Sequence, residues 1–176
     1  QEKAQQILGD RKGSIVVLDA PSGAVRAMVS GPGFDPNIFV GPSSDVERSR
    51  ILADTRHPLV NRALQGTYPT GSVFKIVTMS AGMEELDMAP LESTFDCPGY
   101  WDGLGRGARK YCWKLDGHGE ILLQDGLSAS CNVVFYSVGQ ALHDADPGAL
   151  SRFGSDFGLG EATGLEPLLE YGGLVP

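Results

Sequence analysis

Ser72 and Lys75 stand three residues apart in Tyr68-Pro69-Thr70-Gly71-Ser72-Val73-Phe74-Lys75. On a helix that spacing puts both side chains on one face, with Cβ atoms roughly 5–6 Å apart. A serine hydroxyl attacks a carbonyl poorly until a base takes its proton. A lysine serves as that base when burial or neighbouring charge lowers its pKa. The Pro69-Thr70-Gly71 break sets Ser72 near the start of the helix, where free backbone N–H groups and the positive helix end favour a developing oxyanion. The pattern suits acyl transfer. By itself it equally describes a capped helix with an exposed lysine. A second element weighs against that plainer reading. Ser130-Cys131-Asn132 falls between two expected helices, where a short loop can project into a cleft.

Cys97, Cys112, His118 and Cys131 form another set, spaced Cys-x14-Cys-x5-His-x12-Cys. This is not a compact finger spacing. Cys97 and Cys112 bracket a glycine-rich segment, and His118 lies between Gly117 and Gly119, where small neighbours allow close approach. If Ser130 and Asn132 face a cleft, Cys131 faces the other way. The four residues then have the composition of a closed structural zinc site. An odd cysteine count leaves two other readings open: a Cys97–Cys112 disulfide with Cys131 as a buried thiol, or three unrelated thiols.

The elements that position these groups follow from periodicity and breakers. Residues 13–20 read as a buried strand and 24–30 as its partner, joined through Pro21-Ser22-Gly23 as a hairpin. Residues 31–66, rich in Pro, Gly, Ser and Asp, read as a long connection with at most short helical turns. No proline interrupts Ser72 to Leu86, and Val73, Ile76, Val77, Ser80 and Met83 fit the face of a helix. Residues 94–119 read as an irregular hairpin. Its glycine-rich tip neither follows a clear strand nor opens a helix, so it is not a phosphate loop. Trp101, Tyr111 and Trp113 are expected to pack this segment. Helices are expected over 121–130, 132–142 and 147–157, followed by turns over 158–176. The fold class is α/β (α+β), with a sheet completed elsewhere.

The 176 residues suffice for one domain with a buried core. A net charge of −8 excludes a nucleic-acid binder and a polybasic membrane-surface mode, both of which depend on cationic contacts. The sequence holds no run of about 18 apolar residues that would span a membrane. Arg106, Arg109, Lys110 and Lys114 form a small basic cluster that reads as a solvated loop face. His57 in a turn and His143 near a helix end carry no assigned role.

Taken together, Asn61-Arg62-Ala63-Leu64-Gln65-Gly66 leading into Tyr68 to Lys75, then Ser130-Cys131-Asn132-Val133-Val134-Phe135-Tyr136, resemble the first two active-site motifs of class B penicillin-binding proteins. Val17-Leu18-Asp19, Ser22-Gly23, Gly117-His118-Gly119, Phe157-Gly158-Leu159-Gly160 and Thr163-Gly164-Leu165 fit the same family. The likeness runs over nearly the whole chain and is greatest to the elongation-type, side-wall enzymes. It implies a partial penicillin-binding/serine β-lactamase-like transpeptidase fold over residues 1–176, with 1–12 the end of a preceding linker or helix. It also implies peptidoglycan D,D-transpeptidation. Ser72 attacks the penultimate D-Ala carbonyl of a stem peptide and is acylated by β-lactams. Lys75 is its base, Ser130 relays a proton to the leaving group, and Asn132 hydrogen-bonds Lys75 or the substrate amide.

The family's third motif, Lys-Thr-Gly or Lys-Ser-Gly, is absent; Lys114-Leu115-Asp116-Gly117 matches neither its residues nor its place. With the abrupt start at Gln1 and end at Pro176, this leads us to expect a truncated stretch with little activity alone. Some elongation-type relatives carry a metal site of acidic, histidine and cysteine residues here, and Cys97, Cys112, His118 and Cys131 fall at the same places, which implies structural Zn2+. The family's extracytoplasmic setting is equally compatible with the disulfide. The resemblance further implies a parent protein anchored to the bacterial cell membrane by an N-terminal helix. Its partners would be a glycosyltransferase and other membrane proteins of the elongation machinery. Two rival functions share the fold: a non-catalytic penicillin sensor or scaffold, and a serine β-lactamase. The latter needs a deacylating base that no evident Glu-x-x-x-Asn element supplies.

Overall fold

The computed structural model describes residues 1–40, 45–165 and 168–175. They form two compact units, Gln1–Tyr68 with Ala162–Tyr171 and Pro69–Glu161 with Gly172–Pro176.

The first unit opens with helix α1 (Glu2–Leu8) and the antiparallel strands β1 (Gly13–Leu18) and β2 (Val25–Gly31). The expected hairpin is therefore present. Ala27 and Val29 alternate toward α1, where Ala4 and Leu8 bury them. The Gln1 side chain pairs with both backbone groups of Met28 and ties the helix start to β2. Strand β1 is less buried than expected: Val16, Val17 and Leu18 are all largely exposed. The sheet has two strands and α1 covers one face, so an apolar run here does not mean a buried strand. The long connection holds a 3-10 turn (Pro36–Phe39), an exposed two-turn helix α2 (Asp45–Leu52) and the single turn α3 (Arg62–Gln65). Residues 41–44 of that connection, and 166, 167 and 176 of the turn-rich end, lie outside the described residues.

The second unit begins with a 3-10 turn (Gly71–Phe74) running into α4 (Lys75–Glu85). Two nested antiparallel pairs follow: β3 (Thr94–Cys97) with β6 (Gly119–Leu122), and inside them β4 (Tyr100–Trp101) with β5 (Lys110–Tyr111). Three helices complete the unit: α5 (Leu123–Ser128), α6 (Asn132–Ala145) and α7 (Ala149–Asp156). The expected irregular hairpin over 94–119 is this nested pair. The helix expected from Ile121 is corrected, because Ile121 and Leu122 pair with Phe95 and Thr94 and the helix starts at Leu123. A strand partner about 25 residues upstream leaves no local trace in the sequence.

The buried face of α4 also differs from expectation. Val73, Ile76 and Met83 are exposed, whereas Lys75, Val77, Thr78, Ala81 and Gly82 are buried. Close helix contact selects small residues rather than the most apolar ones. A Cβ on Gly82 would come within 2.9 Å of Val138 on α6, and one on Gly126 within 3.0 Å of Val134. The core around them gathers Val77, Ala81, Leu123, Val134, Val138, Leu142 and Phe153 with all three cysteines.

Candidate active site

All eight side chains singled out in the sequence lie in the second unit, in two clusters that share the loop between α5 and α6. Ser72 sits exposed in the 3-10 turn ahead of α4. Gly71 takes φ +56° there, a conformation that favours glycine over residues with a Cβ. Lys75, one turn on, is only 8% exposed. That disposes of the plain reading of an exposed lysine on a capped helix.

The lysine's three donors are all used. Nζ donates to the Ser130 carbonyl at 2.7 Å, to Ser130 Oγ at 3.0 Å and to Asn132 Oδ1 at 2.8 Å. Ser130 Oγ in turn lies 3.1 Å from Ser72 Oγ. The chain Lys75–Ser130–Ser72 is thus continuous, and Ser72 is reached through the Ser130 hydroxyl. Burial pulls the Lys75 pKa below the ordinary 10.5, while negative charge on the Cys131 and Cys112 sulfurs would pull it up. The Phe135 ring lies 5.6 Å from Nζ and supplies part of that apolar cover. A lysine with a lowered pKa, wired to an exposed serine at a helix start, has the parts of an activated nucleophile.

Ser130 holds its place in an uncommon conformation, φ +50°. For a residue with a Cβ this costs about 1–2 kcal/mol, which neighbouring contacts must offset. Its N–H donates to the Leu127 carbonyl at 2.9 Å and that of Cys131 to Gly126 at 2.8 Å, closing the end of α5. The reversal aims Ser130 and Asn132 at Lys75 and Cys131 into the core, where it is fully buried.

Behind the loop, the ligand atoms of Cys97, Cys112, His118 and Cys131 all lie within 4.8 Å of one another. His118 Nδ1 is 3.5 Å from Cys97 Sγ and 3.7 Å from Cys112 Sγ, and Cys112 Sγ is 3.9 Å from Cys131 Sγ. Ordinary zinc bond lengths in a tetrahedron give roughly 3.8 Å between sulfurs and 3.5 Å from sulfur to nitrogen, so the donor set fits such an ion. Gly117 makes the approach possible: at φ +81° its Cβ would lie 2.1 Å from the Cys97 carbonyl oxygen. All three cysteines are thiols, so the Cys97–Cys112 disulfide is not formed. Burial pushes Cys131 up to about 12, with the neighbouring Cys97 and Cys112 adding to the rise against the Val134 N–H. Burial also raises Cys112, but hydrogen bonds from the Lys114 and Asn132 backbone and from the other thiols outweigh it and lower the net value.

Two residues escaped the sequence reading. The Tyr111 carbonyl accepts from Asn132 Nδ2 at 3.2 Å, and the Trp113 indole N–H donates to the Ala129 carbonyl at 2.9 Å. Tyr111 and Trp113 do not pack the segment's interior as expected; each is more than half exposed. Cys112 between them points inward, and that alternation was the available signal. Trp101 does pack, against Tyr136 with ring centroids 5.5 Å apart. The basic cluster is partly neutralised, since Arg109 pairs with Asp102 and lies over Tyr100.

The serine–lysine pair, joined through Ser130 and backed by Asn132, coincides with a family match. Residues 13–176 match the model of the penicillin-binding protein transpeptidase domain. The chain belongs to that family. The penicillin-binding relatives include the peptidoglycan D,D-transpeptidase MrdA of Haemophilus influenzae, 36% identical over all of this chain and 26% of the relative. Among solved structures, PBP2 of Pseudomonas aeruginosa in complex with WCK 5153 superposes with TM-score 0.88 at 32% identity, covering 99% of this chain and 37% of that one. PBP2 of Helicobacter pylori in complex with MreC gives TM-score 0.89 at 30% identity, covering 99% and 32%. The chain therefore spans 26–37% of the length of these relatives. The mixed α/β transpeptidase fold is shown by the same superpositions.

Proposed function

We propose that this chain carries the nucleophile and proton-handling groups of a peptidoglycan D,D-transpeptidase of the elongation type. The observation that supports it most is the buried Lys75, bonded to Ser130 Oγ and Asn132 Oδ1, with Ser130 Oγ 3.1 Å from the exposed Ser72 Oγ. The relatives' names point to the same reaction.

In this mechanism Lys75 acts as the neutral amine. The Ser72 proton passes to Ser130 Oγ as the Ser130 proton passes to Lys75 Nζ, and Ser72 Oγ bonds to the penultimate D-Ala carbonyl carbon of a stem peptide. The C–N bond to the terminal D-Ala breaks, and its nitrogen takes a proton back through Ser130. An amine from a neighbouring strand then attacks the ester, loses its proton along the same chain, and regenerates Ser72. Asn132 keeps Lys75 aimed at Ser130. A β-lactam enters the first half of this sequence and stays as the acyl adduct. A Lys-Thr-Gly strand, which these 176 residues do not contain, would hold the substrate carboxylate and complete the oxyanion site.

The test is covalent labelling of the full-length protein by a fluorescent penicillin, with the adduct mapped by peptide mass. We expect one adduct, on Ser72, persisting for many minutes. Rapid release of the hydrolysed drug would turn the assignment to a β-lactamase. Labelling without peptide cross-linking by the full-length protein would turn it to a sensor.

Cys97, Cys112, His118 and Cys131 form the closed ligand set of this proposal, for one structural Zn2+. The spacing of the four donors supports it. Bound there, zinc would supply charge compensation and a covalent-strength tie, with no open position for water. Metal analysis of protein purified without added zinc is expected to give about one equivalent; a value near zero removes the ion from the proposal. The complex of a PBP2 with MreC supports a comparable protein partner for the full-length protein; a glycosyltransferase partner and an anchor at the outer face of the cell membrane belong to the same proposal. Among the described residues no helix is long and apolar enough to cross a membrane.

A further inference from the structure

Residues 111–113 contact residues 129–132 at three points. The Tyr111 carbonyl accepts from Asn132 Nδ2, Cys112 Sγ lies 3.9 Å from Cys131 Sγ, and the Trp113 indole N–H donates to the Ala129 carbonyl at 2.9 Å. The first contact fixes which way the Asn132 amide faces, turning Oδ1 to Lys75. The third grips the residue immediately before Ser130, whose φ of +50° is the least favourable backbone conformation in the site.

Trp113 has little other reason to be tryptophan. It is 64% exposed, so burial contributes little. Its ring meets His118 edge-on, with centroids 5.5 Å apart at 70°, a contact that phenylalanine would also make. What only an indole provides is an N–H at the far end of a rigid ring, and that N–H holds the Ala129 carbonyl.

We propose that Trp113 is a positioning residue for acyl transfer, holding the Ala129 carbonyl so that the Ser130 hydroxyl stays between Lys75 and Ser72. The inference rests on the serine acyl-transfer reading above. Without this hydrogen bond the peptide between Ala129 and Ser130 is held only from its N–H side, by the Leu127 carbonyl, and can turn toward a more favourable φ at Ser130. The hydroxyl then swings away from the 3.0 and 3.1 Å contacts that connect the base to the nucleophile. The loss falls on the chemical step rather than on ligand affinity.

The experiment compares the full-length protein with its Trp113→Phe variant and with one in which 3-benzothienylalanine replaces Trp113. The latter keeps the bicyclic shape and exchanges the N–H for sulfur. Penicillin acylation is resolved into the non-covalent Kd and the acylation rate constant k2, with Tm measured on the same samples. Both variants are expected to lose k2 about five- to tenfold, the worth of one hydrogen bond, with Kd and Tm near the parent values. Unchanged k2 in the benzothienyl variant overturns the proposal while leaving Ser72 acylation intact. A loss confined to Tm or Kd also overturns it, by making Trp113 merely structural or a ligand contact. Failure of the parent itself to be labelled at Ser72 strikes the acyl-transfer reading, and this inference with it.

Discussion

The two sides of the loop at 129–132 are built from opposite materials. In front, Ser130 and Asn132 meet Lys75 and Ser72 through hydrogen bonds of 2.7–3.1 Å, and the nucleophile is open to solvent. Behind, Cys131 is fully buried among Cys97, Cys112 and His118. The front needs protons that move between hydroxyl and amine, so its groups are light, polar and able to reverse donor and acceptor roles. The back gathers sulfur and imidazole donors, which the proposed zinc would hold in fixed geometry. One left-handed residue, Ser130, lets adjacent side chains serve both sides.

The sharpest way to break the comparison is at the front. Ser72→Ala in the full-length protein is expected to abolish penicillin labelling, at least about a thousandfold, with Tm unchanged because the side chain is exposed. Residual labelling on another residue would move the nucleophile. At the back, Cys131→Ser is expected to abolish the proposed zinc binding and lower Tm by several degrees, with acylation reduced only as the loop loosens. Equal metal content and Tm would show that the two sides do not differ as described.

Asn132→Ala takes a charge-assisted bond from Lys75 and the tie to Tyr111 at once. About 1.5–3 kcal/mol of lost stabilisation corresponds to roughly a 10- to 150-fold fall in k2, read by stopped-flow labelling. The pH profile tests the base directly. Acylation needs Lys75 neutral, and burial depresses its pKa, so k2 is expected to rise with pH about tenfold per unit below a midpoint under 10.5 and then level off. A midpoint above 10.5 contradicts the buried base. The smallest effect lies away from both sides. Gly82→Ala places a Cβ 2.9 Å from Val138 and is expected to cost about 1–3 kcal/mol by denaturant titration, leaving k2 unchanged.

Much of the site was legible in the linear sequence, because its parts are short and local. Ser72 and Lys75 meet through helical spacing, and Ser130 and Asn132 flank an oppositely directed Cys131 within three residues. The hairpin of β1 and β2 was legible for the same reason, its turn lying between its strands. The start of α5, the exposure of β1 and the buried face of α4 were not. The first and last depend on partners far along the chain, β3 for β6 and α6 and α7 for α4; the exposure of β1 follows from a two-stranded sheet covered by α1 on one face, which local pattern does not show.

By itself the sequence singled out the Ser72–Lys75 pair, the Ser130–Asn132 element and four metal-type donors, since side-chain chemistry and local spacing carry that information. Only the tertiary structure decided that Lys75 is buried and reaches Ser72 through Ser130, that the four donors converge, and that Tyr111 and Trp113 brace the loop. Burial and the hydrogen bonds that wire the site are set by segments 16 to 58 residues apart meeting in space, and no local pattern encodes such a meeting.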